Sequence, residues 1–392
     1  MTGEPPVLDV DAVIDDPTVR TVVCCGAGGV GKTTTAAAIA VRAAEAGRRV
    51  AVLTIDPARR LAQALGLEEM GNEPVAVPTI DTSAGGSLDA MMLDMKRTFD
   101  EVVVTHAAPD KVEQILDNPF YQAVSSSFAG TQEYMAMERL GQLIGEQVEG
   151  RPRWDLIVVD TPPSRSALDF LDAPKRLGSF LDGRFIRLLL APARVGGKAY
   201  VKVVSVGMGA VTSAMSKILG AQFLQDVQTF VAALDTMFGG FRERAEQTYA
   251  LLKAPGTAFV VVATPERDAL REASYFIDRL AEEDMPLAGL VANRVQMTYV
   301  PSLSGPRALA AAEQLAAEPA PAAPGEPWTR ADTAGLLRVH ADLDEQGRRH
   351  AAAIGRFVAA HPDIALVQVP AGAHDVNDVQ ELREIGDYLA GQ

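Results

Sequence analysis

Apolar residues in this chain come in short unbroken blocks separated by longer stretches with helical spacing. The block TVRTVVCC, Thr18 to Cys25, precedes a glycine cluster that opens an Ala-rich stretch from Thr33 to Ala46, closed by Gly47. That order predicts strand, loop, helix. A second block, RRVAVLTID, ends at Asp56. Together they predict a β-α-β unit, whose crossover helix requires the two strands to be parallel. Four later blocks repeat the theme, from Trp154 to Asp160, Phe259 to Ala263, Leu287 to Asn293 and Ile364 to Pro370. They are continuously apolar instead of alternating, as strands covered by helices on both faces must be. The expected fold class is α/β, a doubly wound, mainly parallel sheet with a helical subdomain.

Two insertions of helical character are expected, at 85–145 and 183–255. The first places Met91, Met92 and Met95 close together on a helix. The second has no block that predicts a buried strand. It carries Phe223, Val227, Phe230, Leu234 and Phe238 at helical spacing, a stripe that suits either a groove for an apolar client helix or a core face. Residues 318–327 hold four prolines in ten positions, which predicts an extended loop and not a boundary.

Composition narrows the function classes. Hydrophobic residues make up 48% and charged residues 22% of 392, which excludes wholesale disorder and fibrous repeats. Asp and Glu outnumber Lys and Arg by 51 to 36, for a net charge of -15, so indiscriminate nucleic-acid binding is not expected. The two cysteines, Cys24 and Cys25, are neighbours in a strand. They point to opposite faces and cannot pair with each other, which fits a reducing compartment. The acidic, proline-interrupted start lacks the features of a secretory signal. The apolar run from Val203 to Met215, about 13 residues, is short of the ~20 that span a bilayer. A cytoplasmic protein is expected.

The chemistry sits in GAGGVGKTT, Gly26 to Thr34. Gly26, Gly31, Lys32 and Thr33 satisfy G-x-x-x-x-G-K-[ST] with the required strand before and helix after. Such a loop turns successive N–H groups onto a phosphate at a helix N-terminus. Gly28, Gly29, Val30, Gly31, Lys32, Thr33 and Thr34 are therefore the expected nucleotide contacts, with Lys32 on the β/γ oxygens and the Thr33 hydroxyl on Mg²⁺. Asp56 and Asp160 each close a strand, at the edge where ligands of parallel sheets bind. Asp56, with Lys32, is the expected catalytic pair, Asp56 orienting the attacking water. Asp56, Asp160 and Thr33 are the expected metal-site oxygens. The whole chain, 1–392, is expected to form one P-loop domain using a nucleotide and Mg²⁺.

These residues resemble the family of arsenite-pump and tail-anchored-protein targeting ATPases, within the deviant Walker A class. The resemblance includes the loop, DPA from Asp56 to Ala58, DTPPS from Asp160 to Ser164, TPE from Thr264 to Glu266, Asn293, VPAGAHDV from Val369 to Val376, and GTQEYMAMERL from Gly130 to Leu140. Within the family the likeness is greatest to the actinobacterial branch of paired subunits. The resemblance implies that the domain is a P-loop ATPase using ATP/ADP and Mg²⁺, that Asn293 and the Pro370 segment bind adenine, and that Asp56 and Asp160 are switch carboxylates. It further implies a nucleotide-switched dimer that handles hydrophobic or membrane-protein clients or energises a membrane partner. The sequence departs from the family in three places. Ala27 stands where the class has a lysine that reaches the partner's phosphates. A different partner subunit supplies that charge in a heterodimer, or Arg59, Arg60 or Arg165 substitutes, or hydrolysis is slow. The last case describes a weakly hydrolysing ATP-binding scaffold subunit. Arg165 and Ser166 replace the Gly-His that usually follows the second switch. The zinc-binding Cys-x-x-Cys is absent, so no zinc is expected.

Overall fold

The computed structural model of the chain describes residues 5–56, 60–107, 109–118, 121–122, 125, 131–161, 243–244, 246–317 and 328–391. Its centre is an eight-stranded sheet. The strands are β1 (Thr21–Cys25), β2 (Arg49–Thr54), β3 (Val75–Ala76), β4 (Ser87–Met92), β7 (Leu156–Asp160), β8 (Thr257–Ala263), β9 (Leu287–Val295) and β10 (Leu366–Pro370), a separate short hairpin supplying β5 (Gln147–Val148) and β6 (Arg151–Pro152). The spatial order is β10-β9-β8-β1-β7-β2-β4-β3. Every pairing in the large sheet is parallel except β3 with β4.

The unbroken apolar blocks are explained by two hydrophobic layers, one on each face of the sheet. Val23, Cys25, Ala51 and Leu53 face one layer with Val102, Met137, Phe276 and Phe357. Val22, Cys24, Val50 and Val52 face the other with Ala36, Ile39, Leu61 and Leu382. Cys24 and Cys25 thus point to opposite faces, and burial pushes both thiols up, Cys25 to about 12. Both layers close tightly on the central strands, where β1 and β7 are buried at every position.

Two expectations need adjustment. Residues 85–145 are not helical from their start, because Ser87–Met92 is a strand paired in parallel with β2 from Arg49 to Thr54. Its six residues include no β-branched or aromatic side chain and give little intrinsic strand signal, so pairing with a buried neighbour decides the conformation. Met91 and Met92 therefore lie on that strand, and only Met95 belongs to a helix, Met95–His106, capped by Asp94. Helices Pro109–Leu116 and Thr131–Gly145 continue this region. Of the expected 183–255 insertion, residues 183–242 lie outside the described residues, and 246–253 are helical. The 318–327 loop also lies outside them.

The chain crosses over at β1. It leaves β1 for β2 on one side and later returns to β8 on the other. The C-terminal end of β1 therefore opens at the switch point of the sheet, where such folds bind ligands.

Candidate functional site: the loop after β1

The segment between β1 and the helix α1 (Lys32–Glu45) is shaped by two glycines that admit no side chain. Gly26 has φ +149°, and a Cβ there would lie 2.1 Å from the Val262 carbonyl oxygen. Gly31 has φ +97°, and its Cβ would lie 2.1 Å from Asn293 Nδ2. Both positions need the conformational freedom of glycine and the space it leaves. Gly31 caps α1 without any side-chain bond. The first-turn N–H groups of Lys32, Thr33 and Thr34 are left directed at whatever sits above the helix end. Gly28 and Gly29 are exposed at the rim, Val30 is buried, and Thr34 is half-buried.

Lys32 is buried, and its Nζ donates to the Ala27 carbonyl at 2.7 Å. Burial lowers its pKa, while Asp160, and more weakly Cys25 and Asp56, pull it back up. A cation held this way is oriented in advance, so little side-chain freedom remains to be lost when an anion arrives.

Asp160 ends β7 between β1 and β2 and is fully buried. Its Oδ2 accepts from Thr33 Oγ1 at 2.7 Å and from Thr54 Oγ1 at 2.8 Å. Its Oδ1 is buried with no hydrogen-bond partner among the described residues. Burial, ahead of the opposing threonine bonds, pushes its pKa up to about 6. A carboxylate kept in the interior with one bare oxygen fits a hard cation that takes oxygen ligands. The Thr33 hydroxyl lies beside Asp160, and the half-buried Asp56 is near enough for its charge to raise that pKa further. The backbone N–H of Asp56 donates to Thr54 Oγ1 at 3.2 Å. Thr54 thus joins the two acids, a role that inspection of the sequence did not signal. The one trace of it is a hydroxyl closing the buried apolar run 50–53 of that strand.

Asn293 and Pro370 lie at the C-terminal ends of β9 and β10, on the same edge as the loop. Asn293 Nδ2 donates to the Val30 carbonyl at 2.8 Å, and its Oδ1 accepts from Arg294 N at 2.9 Å. In this arrangement the amide props the phosphate loop from below. Ala371 N, next to Pro370, donates to Val295 O at 2.9 Å and ties the two strand ends together. Of the arginines weighed against Ala27, Arg59 and Arg165 lie outside the described residues, and Arg60 is an exposed residue at the start of a short helix. Ser164 and Ser166 are also outside them.

Comparison with known proteins follows the same residues. The sequence profile of the anion-transporting ATPase family matches residues 19–301. ATPase GET3 of Malassezia globosa is 25% identical over 316 residues, 76% of this chain and 78% of that one. Protein Rv2184c of Mycobacterium tuberculosis is 34% identical over 169 residues, 40% of this chain and 38% of its own. A Halobacterium salinarum protein named as an arsenical pump-driving ATPase is 28% identical over 250 residues, 58% of this chain and 35% of that one. The match thus spans little more than a third of the mycobacterial and haloarchaeal relatives. The matched span covers β1 through β9 with the loop, Thr54, Asp56, Asp160 and Asn293 inside it, and the chain belongs to the anion-transporting ATPase family.

Proposed function

We propose that the chain is an ATP hydrolase that grips Mg·ATP at the loop after β1 and works as a nucleotide-switched dimer. Its output is the handling of hydrophobic or membrane-protein segments, or the energising of a membrane partner. The observation that carries the nucleotide assignment is the Asp160 carboxylate, buried beside the loop with Oδ1 bare and Oδ2 fixing Thr33. The N–H groups from Gly28 to Thr34 hold the phosphates, and Lys32 adds its charge there. Magnesium, when bound, neutralises phosphate oxygens as charge develops. Thr33, Asp56 and Asp160 are the oxygens that would hold it. Asp56 orients the attacking water, and Asn293 and Pro370 frame the adenine side. The test is turnover. Lys32→Ala and Asp56→Asn should each abolish ATP hydrolysis. An Asp56→Asn protein that hydrolyses at the parental rate refutes the water-orienting role. Calorimetry of the folded chain that registers no heat with ATP or ADP plus magnesium refutes the site.

The client assignment rests on membership of a family that includes ATPase GET3. Among the described residues no helix is long and apolar enough to cross a membrane. The proposed place of action is the cytoplasm, at the surface of a membrane. The likeness to the mycobacterial protein supports placing the chain in the actinobacterial paired-subunit branch.

One observation favours a second reading. Ala27 is buried, and its carbonyl is occupied by Lys32. A methyl group brings no charge to a partner's phosphates. In a heterodimer the related subunit supplies that charge, and this chain alone is a weakly hydrolysing ATP-binding scaffold. Turnover of the chain by itself, then mixed with a co-purified ATPase subunit, separates the two. Full activity of the isolated homodimer removes the scaffold reading.

A further inference from the structure

Outside the phosphate loop, a cleft of about 610 Å³ runs between the helices Arg267–Glu282 and Arg330–Ala360. Its lining includes three exposed arginines, Arg267, Arg349 and Arg356, against a single carboxylate, Glu266. None of the three arginines has an ion-pair partner among the described residues, whereas the nearby Arg271 pairs with Asp268 and Arg348 with Glu345. In a chain carrying a net charge of -15, a hollow with a surplus of guanidinium groups is a local reversal of sign. Fields in a concave site are focused by its low-dielectric walls, so such a reversal selects for anionic partners. The inner wall is fixed. His350 is buried, and its Nδ1 accepts from Gln296 N at 3.0 Å, tying the long helix to the turn after β9. Burial lowers the pKa of His350, with Glu266 opposing and Arg349 reinforcing the shift, so its ring adds no charge to the cleft at neutral pH.

The spacing of the arginines indicates what kind of anion fits. Arg349 and Arg356 are seven residues apart on one helix, which puts them on the same face about 10 Å apart along the axis. Arg267 begins the opposite wall. An anion with charges spaced along its length meets both without either side chain bending toward the other. A peptide extended in the polyproline II form advances about 3.1 Å per residue and repeats its side every third residue, so carboxylates three positions apart match the pair. A lipid surface is flat and does not enter a furrow between two helices, and a long nucleic acid would meet the negative field beyond three cations. We propose that this cleft docks an extended acidic segment of a partner protein, with carboxylates at every third position, gripped by Arg349 and Arg356 on one wall and Arg267 on the other. The proposal does not depend on the nucleotide assignment.

The experiment uses the full chain and a fluorescent peptide of the pattern Glu-Ser-Ser-Glu-Ser-Ser-Glu, followed by anisotropy at low salt. The expected result is saturable binding that weakens at least about tenfold in Arg349→Gln/Arg356→Gln and is also lost at about 0.3 M salt. Arg271→Gln, which removes one positive charge from the neighbouring surface, should bind as the parent does. Matching thermal midpoints establish that the variants are folded. No saturable binding by the parent overturns the proposal. So does equal affinity in the double variant, equal affinity for a peptide with its three glutamates adjacent, or full displacement by inorganic phosphate at the peptide's own concentration, which would mark a small-anion site instead.

Discussion

Thr54 offers a sharp test of how the site is held. Replacing it by valine keeps the shape of the side chain and removes one hydroxyl. That hydroxyl donates to Asp160 Oδ2 at 2.8 Å and accepts from Asp56 N at 3.2 Å, in a fully buried position. A hydrogen bond to a charged group contributes about 1.5–3 kcal/mol, and an ordinary one about 0.5–1.5 kcal/mol. Thr54→Val should therefore destabilise the chain by about 2–4 kcal/mol, since the carboxylate stays buried and loses one of its two donors. Thr54→Ser retains the hydroxyl and should lose mainly the methyl packing, about 1 kcal/mol. Urea unfolding of the three proteins gives the two differences directly, and ADP titration of each adds the functional half. If the nucleotide site uses Asp160, the valine variant should also bind ADP with magnesium more weakly by at least about tenfold, each tenfold being about 1.4 kcal/mol. A valine variant within about 0.5 kcal/mol of the parent, or a serine variant as damaged as the valine one, would refute the bridging role.

Other outcomes test neighbouring features. Gly31→Ala puts a Cβ 2.1 Å from Asn293 Nδ2 at φ +97°; strain of about 1–3 kcal/mol is expected, with a lowered thermal midpoint and lost nucleotide binding, and an alanine variant with parental ADP affinity would contradict the close approach. Asn293→Ala leaves the Val30 carbonyl without its side-chain donor, and an increase in hydrogen exchange at the loop amides is the measurement. The Arg42 guanidinium holds the Asp11 carboxyl below its ordinary value. A depressed folded-state pKa gives stability that is present above about pH 3.9 and lost as pH falls through the folded value. Asp11→Asn should therefore lower the midpoint at pH 7 and match the parent in strong acid. Removing magnesium with a chelator should weaken ATP binding in the parent and change it far less in Asp160→Asn; an equal drop in both would separate Asp160 from the metal.

The parts of this protein readable in its sequence are those written locally. The blocks at β1, β2, β7, β8, β9 and β10 announce themselves because burial on both faces leaves no polar alternation. The loop is legible because its glycines, lysine and threonine occupy nine consecutive positions, Gly26 to Thr34. The strand Ser87–Met92 is not, since its residues have weak strand preference and are ordered by β2 alongside. Thr54 reads as one more strand residue until β7 brings Asp160 against it. Likewise, the three cleft arginines belong to helices far apart in the chain, and only their packing puts them around one hollow.

The support of the loop bears on synthesis. Asn293 is 263 positions from Val30, the carbonyl it holds, and Val262 forms the wall behind Gly26. A ribosome would therefore release the first third of the chain, with its glycine motif complete, long before the props exist. ATP should give little protection to nascent chains ending ahead of β8, and protease resistance in its presence should set in only once β9 has emerged.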